Sequence, residues 1–158
     1  MFKIRDGLRE LTIEGTLLSE SSSFSPNKPR WIEFKLFKTN SGVYVISRVG
    51  YSTLFHDGTC KVVSRNHLAP VLAEDLPQGT YSPCSVCEPI WFDPNGVFPE
   101  KPRPHALVCQ SADGVIEYLT KEDTNGSTYL TNVARRLLED ASAVDKGIYD
   151  AYMTEVIN

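Results

Sequence analysis

Two short clusters of metal-ligand residue types constrain this chain more than anything else in it. His56 and Cys60 are separated by three residues, and Cys84 and Cys87 by two, within the run FHDGTCKVVSRNHLAPVLAEDLPQGTYSPCSVCEP. A Cys-x-x-Cys turn brings two thiolates within reach of one ion, and its backbone amides offset their charge. A second pair of similar spacing completes a tetrahedron. Three thiolates and one imidazole suit zinc and leave no vacant position, which defines a structural site rather than a catalytic one. The binding free energy of such a site is also folding free energy, on the order of 10–16 kcal/mol in small zinc modules.

Whether the cysteines hold metal or form disulfides depends on the compartment. The N-terminus, MFKIRDGLRELTIEG, has no long apolar run and no small-residue cleavage signal. No stretch approaches the roughly 20 apolar residues that span a bilayer. The expectation is a cytoplasmic protein with no membrane association, in which the 4 cysteines stay reduced. Spacing alone leaves a second ligand set open, because His105 and Cys109 are also three residues apart and would serve in place of His56 and Cys60. His67 is a further candidate, although a lone histidine is commonly just a satisfied polar residue.

The wording around the first set resembles a known module. Phe55-His56-x3-Cys60, then Gly79-Thr-Tyr-Ser-Pro83-Cys84-x2-Cys87-x-Pro89, is similar to the zinc domain of the Ada methyl-phosphotriester-repair family. That family reads aromatic-Cys-x3-Cys, a gap, and Gly-aromatic-x-Pro-Cys-x2-Cys-x-Pro. The likeness covers residues 55–89 and implies His56, Cys60, Cys84 and Cys87 as the ligands. Cys109 would then be an ordinary buried cysteine and His105 a loop residue. In the repair family the first ligand is the thiolate that accepts the methyl group, and here that position is His56. A zinc-bound imidazole lacks the activated thiolate that alkyl transfer needs. The resemblance therefore implies a zinc knuckle without the family's chemistry.

The flanks read as an α+β fold. Leu11, Ile13 and Leu17 alternate with polar residues as one strand interrupted by Gly15, and the polar run SESSSFSPNKP follows as a loop. Ile32, Phe34 and Leu36 alternate in a second strand. Thr39–Gly42 is a turn, and Val43 to Val49 is a β-branched third strand. Together they predict an antiparallel β-meander over 1–54. Residues 88–105 hold five prolines, which excludes a helix or a central strand. Ala106–Cys109 and Val115–Leu119 form either a short hairpin about Ala112-Asp113-Gly114 or irregular coil, within a loop region at 90–126. Leu130, Val133, Ala134, Leu137, Leu138 and Ala141 form one helical stripe, capped by Ser127 or Thr128. A second helix is expected from about Val144 to Val156, with Val144, Ile148, Tyr152 and Val156 on one face. The segments belong to a single domain, with 127–158 as its helical end.

No catalytic constellation is visible. There is no phosphate-cradling glycine loop and no His-Glu-x-x-His segment, and Asp93 and Asp113 sit in turn contexts. The expectation is a non-enzymatic, zinc-stabilised interaction or accessory protein with a protein partner, of a kind common in phage and mobile elements. The alternative is a nucleic-acid-binding zinc module. Residues 1–67 carry 10 Lys/Arg against 6 Asp/Glu, whereas 68–158 carry 6 against 14. Arg30, Lys35, Lys38, Arg48, Lys61 and Arg65 (with Lys28) would contact phosphates. Trp31, Phe37 and Tyr44 would offer stacking surfaces where they face away from the Ile32/Phe34/Leu36 stripe. A net charge of -4 is a poor match to a general phosphate binder.

Overall fold

The computed structural model describes residues 1–56, 67–68, 82–84 and 98–157. The fold class is α+β, with antiparallel strands at the N-terminus and helices near the C-terminus. Two compact units interleave along the chain: Met1–Ser23, Glu33–Val49 and Pro104–Asn158 make the first, and Phe24–Ile32 with Gly50–Arg103 the second.

The first unit opens on a hairpin that the sequence reading missed. Strands β1 (Phe2–Asp6) and β2 (Arg9–Ile13) pair from Phe2↔Ile13 to Asp6↔Arg9. The loop between them is Gly7-Leu8, with Gly7 at φ 61 and no non-glycine residue at positive φ among the described residues. That fits the tight turn whose twist matches paired strands. Beyond Ile13 the chain turns into β3 (Gly15–Ser22), so the expected single strand is two. β3 runs through Ser19–Ser22, which the sequence reading assigned to a loop.

A four-stranded sheet follows, in the order β3-β4-β5-β9, where β4 is Arg30–Thr39, β5 Tyr44–Ser52 and β9 Arg103–Cys109. β4 and β5 match the second and third expected strands, joined by the turn at Gly42 (φ 93). β9 ends the sheet order, a position compatible with Pro104. His105 is thus an exposed strand residue, not a loop residue.

Register explains why the serines belong in β3. Ser19 lies opposite Leu36 and Ser21 opposite Phe34, so all four share a face. On that face the Ser19 hydroxyl donates to the Leu137 carbonyl (2.8 Å) and the Ser21 hydroxyl to the Val133 carbonyl (2.8 Å). Both carbonyls belong to helix α2 (Asn132–Ser142), whose buried stripe is Val133, Ala134, Leu137, Leu138 and Ala141, as periodicity predicts. A bulge between Leu17 and Ser19 switches the face. Leu17, opposite Phe37, therefore packs on the other side, where Ile13, Phe37 and Val45 form a core joined by Phe2 and Ile4. The sheet is covered by α2 on one face and by the hairpin on the other, which is why β4 buries Leu36 and Phe37 in succession.

Three local expectations are corrected. Val115–Leu119 is neither hairpin nor coil but part of helix α1 (Ala112–Leu119). Its cap is Ser111, whose hydroxyl accepts from Gly114 N–H, and its buried face is Val115 and Leu119. The cap of α2 is Thr131, accepting from Ala134 N–H, rather than Ser127 or Thr128. Those residues instead belong to a small hairpin, β10 (Lys121–Glu122) with β11 (Thr128–Tyr129), Ser127 in its loop and Thr128 in its second strand. The last helix is short: α3 (Lys146–Ile148) continues as a π-helical turn over Tyr149–Met153. Of its expected face only Ile148 is fully buried; Val144 is 67% exposed and Val156 88%.

α3 starts at Asp145, a buried carboxylate that accepts from Lys38 Nζ (2.8 Å), the Tyr44 hydroxyl (2.7 Å) and Ile148 N–H (3.0 Å). Burial pushes its pKa up, but the bonds from Lys38, Tyr44 and Ile148 outweigh this and hold it below the usual range. Because the folded pKa is depressed, this stabilisation is present above the unfolded value near 3.9 and is lost as pH falls through the folded one. Urea unfolding of wild type and Asp145→Asn should show a stability gap at pH 6 that closes as pH drops from about 5 toward 2. A second test concerns Gly15, where a Cβ would sit 2.1 Å from the Lys38 carbonyl oxygen. Gly15→Ala should lower stability by about 1–3 kcal/mol or more in the same assay.

Candidate metal centre

The second unit contains a three-stranded sheet in the order β7-β6-β8, with β6 at Leu54–His56, β7 at Ser82–Pro83 and β8 at Phe98–Pro99. β6 and β7 are parallel, with Leu54↔Ser82 and Phe55↔Pro83, and Cys84 N–H donates to the Phe55 carbonyl (2.9 Å). One step further along this register sets His56 beside Cys84, on the same face. Both are buried, His56 completely. The structure thus brings together one member from each of the two sequence clusters.

β8 runs antiparallel on the other side of β6, with His56↔Phe98 and Phe55↔Pro99. The next residue, Glu100, is a diagonal neighbour of His56 on its face. His56 Nε2 lies 3.0 Å from Glu100 Oε1. Glu100 also accepts from Arg30, through Nε at 3.3 Å and through Nη2, and Arg103 Nη2 stands at 3.8 Å. Its side chain is 1% exposed. Burial pushes the Glu100 pKa up; hydrogen bonds from Arg30, Ser52 and His56, with the Arg30 charge, more than reverse this and keep it ionised below the usual carboxylate range.

The remaining expected site residues are placed as follows. Cys60 and Cys87 lie outside the described residues, as do Lys61 and Arg65, and among the described residues no three His, Cys, Asp or Glu side chains gather as a metal would require. His105 and Cys109 fall in the first unit, whereas His56 and Cys84 share the second. Cys109 is buried at the end of β9, and burial raises its thiol pKa, which disfavours the thiolate. His67 is exposed, and its carbonyl accepts from Lys101 N–H.

Among the cations, Arg30 is committed to Glu100 and Lys38 to Asp145. Lys35 is exposed opposite Glu20, and Arg48 is half-buried. Phe37 and Tyr44 are core residues and offer no stacking surface. Trp31 is half-buried, stacked on Tyr51 with ring centroids 5.5 Å apart and edge-on to Phe24. Glu100 is the site residue that sequence reasoning missed. Among the prolines of 99–104 it reads as a loop charge, and no spacing rule connects it to His56 or Arg30.

Comparison with family models, with curated proteins and with solved structures finds no match to this chain. No helix among the described residues is long and apolar enough to cross a membrane.

Arg30→Ala would leave the Glu100 carboxylate short of its main donor. It should cost about 1–3 kcal/mol in urea unfolding at neutral pH, the penalty for stranding a buried acceptor. A cost near zero would show that Arg103 and Ser52 suffice.

Proposed function

We propose that this chain is a non-catalytic interaction or accessory protein whose second unit is shaped by one structural zinc ion, held by His56, Cys60, Cys84 and Cys87. One observation supports the reading: the β6–β7 register, carried one step on, aligns His56 with Cys84, and both residues are buried. The donors fit the ion chemically. An imidazole whose far nitrogen meets a carboxylate is the usual dress of a zinc-binding histidine, and thiolates complete a soft, closed set. The wording of 55–89 adds the likeness to the Ada-family knuckle, with His56 removing its alkyl-accepting thiolate. A closed site leaves zinc a structural role, so function falls to the surface that it holds in shape. A protein partner is preferred to nucleic acid because Arg30 and Lys38 are spent on internal carboxylates and Phe37 and Tyr44 on the core.

Elemental analysis of the purified, reduced protein should find one zinc per chain. Cys84→Ser and Cys87→Ser should lose metal and stability together, whereas Cys109→Ser should keep the metal. Zinc lost on replacing Cys109 would transfer the site to the His105 and Cys109 set. Short DNA or RNA should give no shift at low salt, where phosphate contacts are strongest; a salt-sensitive complex there would reinstate the nucleic-acid module.

A further inference from the structure

Among the described residues, β9 is the last strand of the four-stranded sheet, and its outer edge meets the turn between β1 and β2. Gly7 N–H donates to the Pro104 carbonyl (2.8 Å), and Ala106 N–H donates to Oδ1 of Asp6 (3.2 Å). We propose that this turn guards the edge: it blocks a second copy of the chain from pairing antiparallel with β9. The proposal stands on the first unit alone and is independent of the zinc reading.

Backbone parity makes the guard specific. In a strand the N–H and C=O of one residue point to the same side, and successive residues alternate. Pro104 and Ala106 bond to the turn, so both face away from β5, and Val108 is the next residue to do so. An identical edge related by a twofold axis at Ala106 would pair Ala106 with Ala106 and Pro104 with Val108. The first pair exchanges its N–H and C=O bonds. In the second only Val108 N–H can donate, to the Pro104 carbonyl, because proline has no N–H. Every bond of that ladder therefore uses an Ala106 N–H or a Pro104 carbonyl, the groups that Asp6 and Gly7 occupy.

The edge has reason to be guarded. Leu107 is 41% exposed and Val108 51%, so a second strand would cover apolar surface as well as gain ladder bonds. The hairpin places its carboxylate by simple alternation. Phe2, Ile4 and Asp6 share one face of β1. Phe2 and Ile4 pack on the Ile13, Phe37 and Val45 core, so the face that anchors the hairpin also carries Asp6 to the rim of the sheet. Arg9 Nη2 lies 3.7 Å from Oδ2 of Asp6, which leaves Oδ1 for Ala106. An inward-pointing charge and a loop laid over the strand are recognised ways of blunting a sheet edge, and Pro104 is a third.

The test uses the full chain. Light-scattering mass against concentration is measured for wild type, Asp6→Ala, Asp6→Asn and the double variant Asp6→Ala/Val108→Pro. Amide exchange at Ala106 is followed in the wild type. Wild type and Asp6→Asn, which keeps an acceptor oxygen, should hold the mass of one chain. Asp6→Ala should rise toward twice that mass with concentration, and adding Val108→Pro should return it to one chain. A folded Asp6→Ala that stays at one chain would overturn the guard, as would association that survives Val108→Pro or a wild type that associates as strongly as Asp6→Ala. Should Asp6→Ala fail to fold, the wild type decides: a slowly exchanging Ala106 amide with single-chain mass supports the guard, and an unprotected amide removes it.

Discussion

A carboxylate removed from water stays ionised only if donors close around it, and Glu100 imposes that condition on the strand ends that surround it. The effective penalty for burying such an ion is several kcal/mol. Hydrogen bonds to charged groups return roughly 1.5–3 kcal/mol each, so the bonds from Arg30, Ser52 and His56 together match the cost, and no single one does. The consequence is positional. Arg30 opens β4, Ser52 closes β5, His56 closes β6 and Arg103 opens β9, so one side chain ties the ends of four strands. Moving any of these ends would leave the buried carboxylate short of a donor.

The first unit repeats the device with Asp145. Its carboxylate joins Lys38 on β4, Tyr44 on β5 and the N-terminus of α3. Gly147 belongs to the same arrangement, since a Cβ there would lie 2.3 Å from the Tyr44 hydroxyl oxygen. In both units a cation that looks solvent-facing by composition is consumed by a buried acid distant in sequence. Arg30 and Glu100 are 70 residues apart, Lys38 and Asp145 107. The charge imbalance between the halves of the chain is thus in part internal complementarity, with basic residues from the first half meeting acids from the second.

Periodicity made legible what is one-sided. The stripe from Val133 to Ala141 and the strands β4 and β5 are read directly, because each presents regular apolar residues to a core. What failed is what depends on a partner. Ser19 and Ser21 look like loop residues until α2 supplies carbonyls for their hydroxyls. Val115–Leu119 is β-branched and aromatic enough to read as strand, yet Ser111 caps it into a helix that buries Val115 and Leu119. Val144 and Val156 fit a helical period but have no opposing surface, and the helix ends early as a π-helical turn. The same division holds at the site. Residue type and spacing single out His56 and Cys84, while Glu100 reaches His56 only through a strand register that no local pattern encodes.

That register also bears on why the two clusters are so far apart in sequence. Parallel neighbours cannot be joined by a tight turn; they need a crossover of a dozen or more residues. The interval between His56 and Ser82 meets this requirement, so the long gap separating the clusters follows from the pairing. Parallel strands also run out at the same end. β6 finishes at His56, and Cys84 directly follows β7, so these two residues lie at the same end of the parallel pair. The four-ligand site proposed for these two clusters is compatible with the strand direction that the fold has.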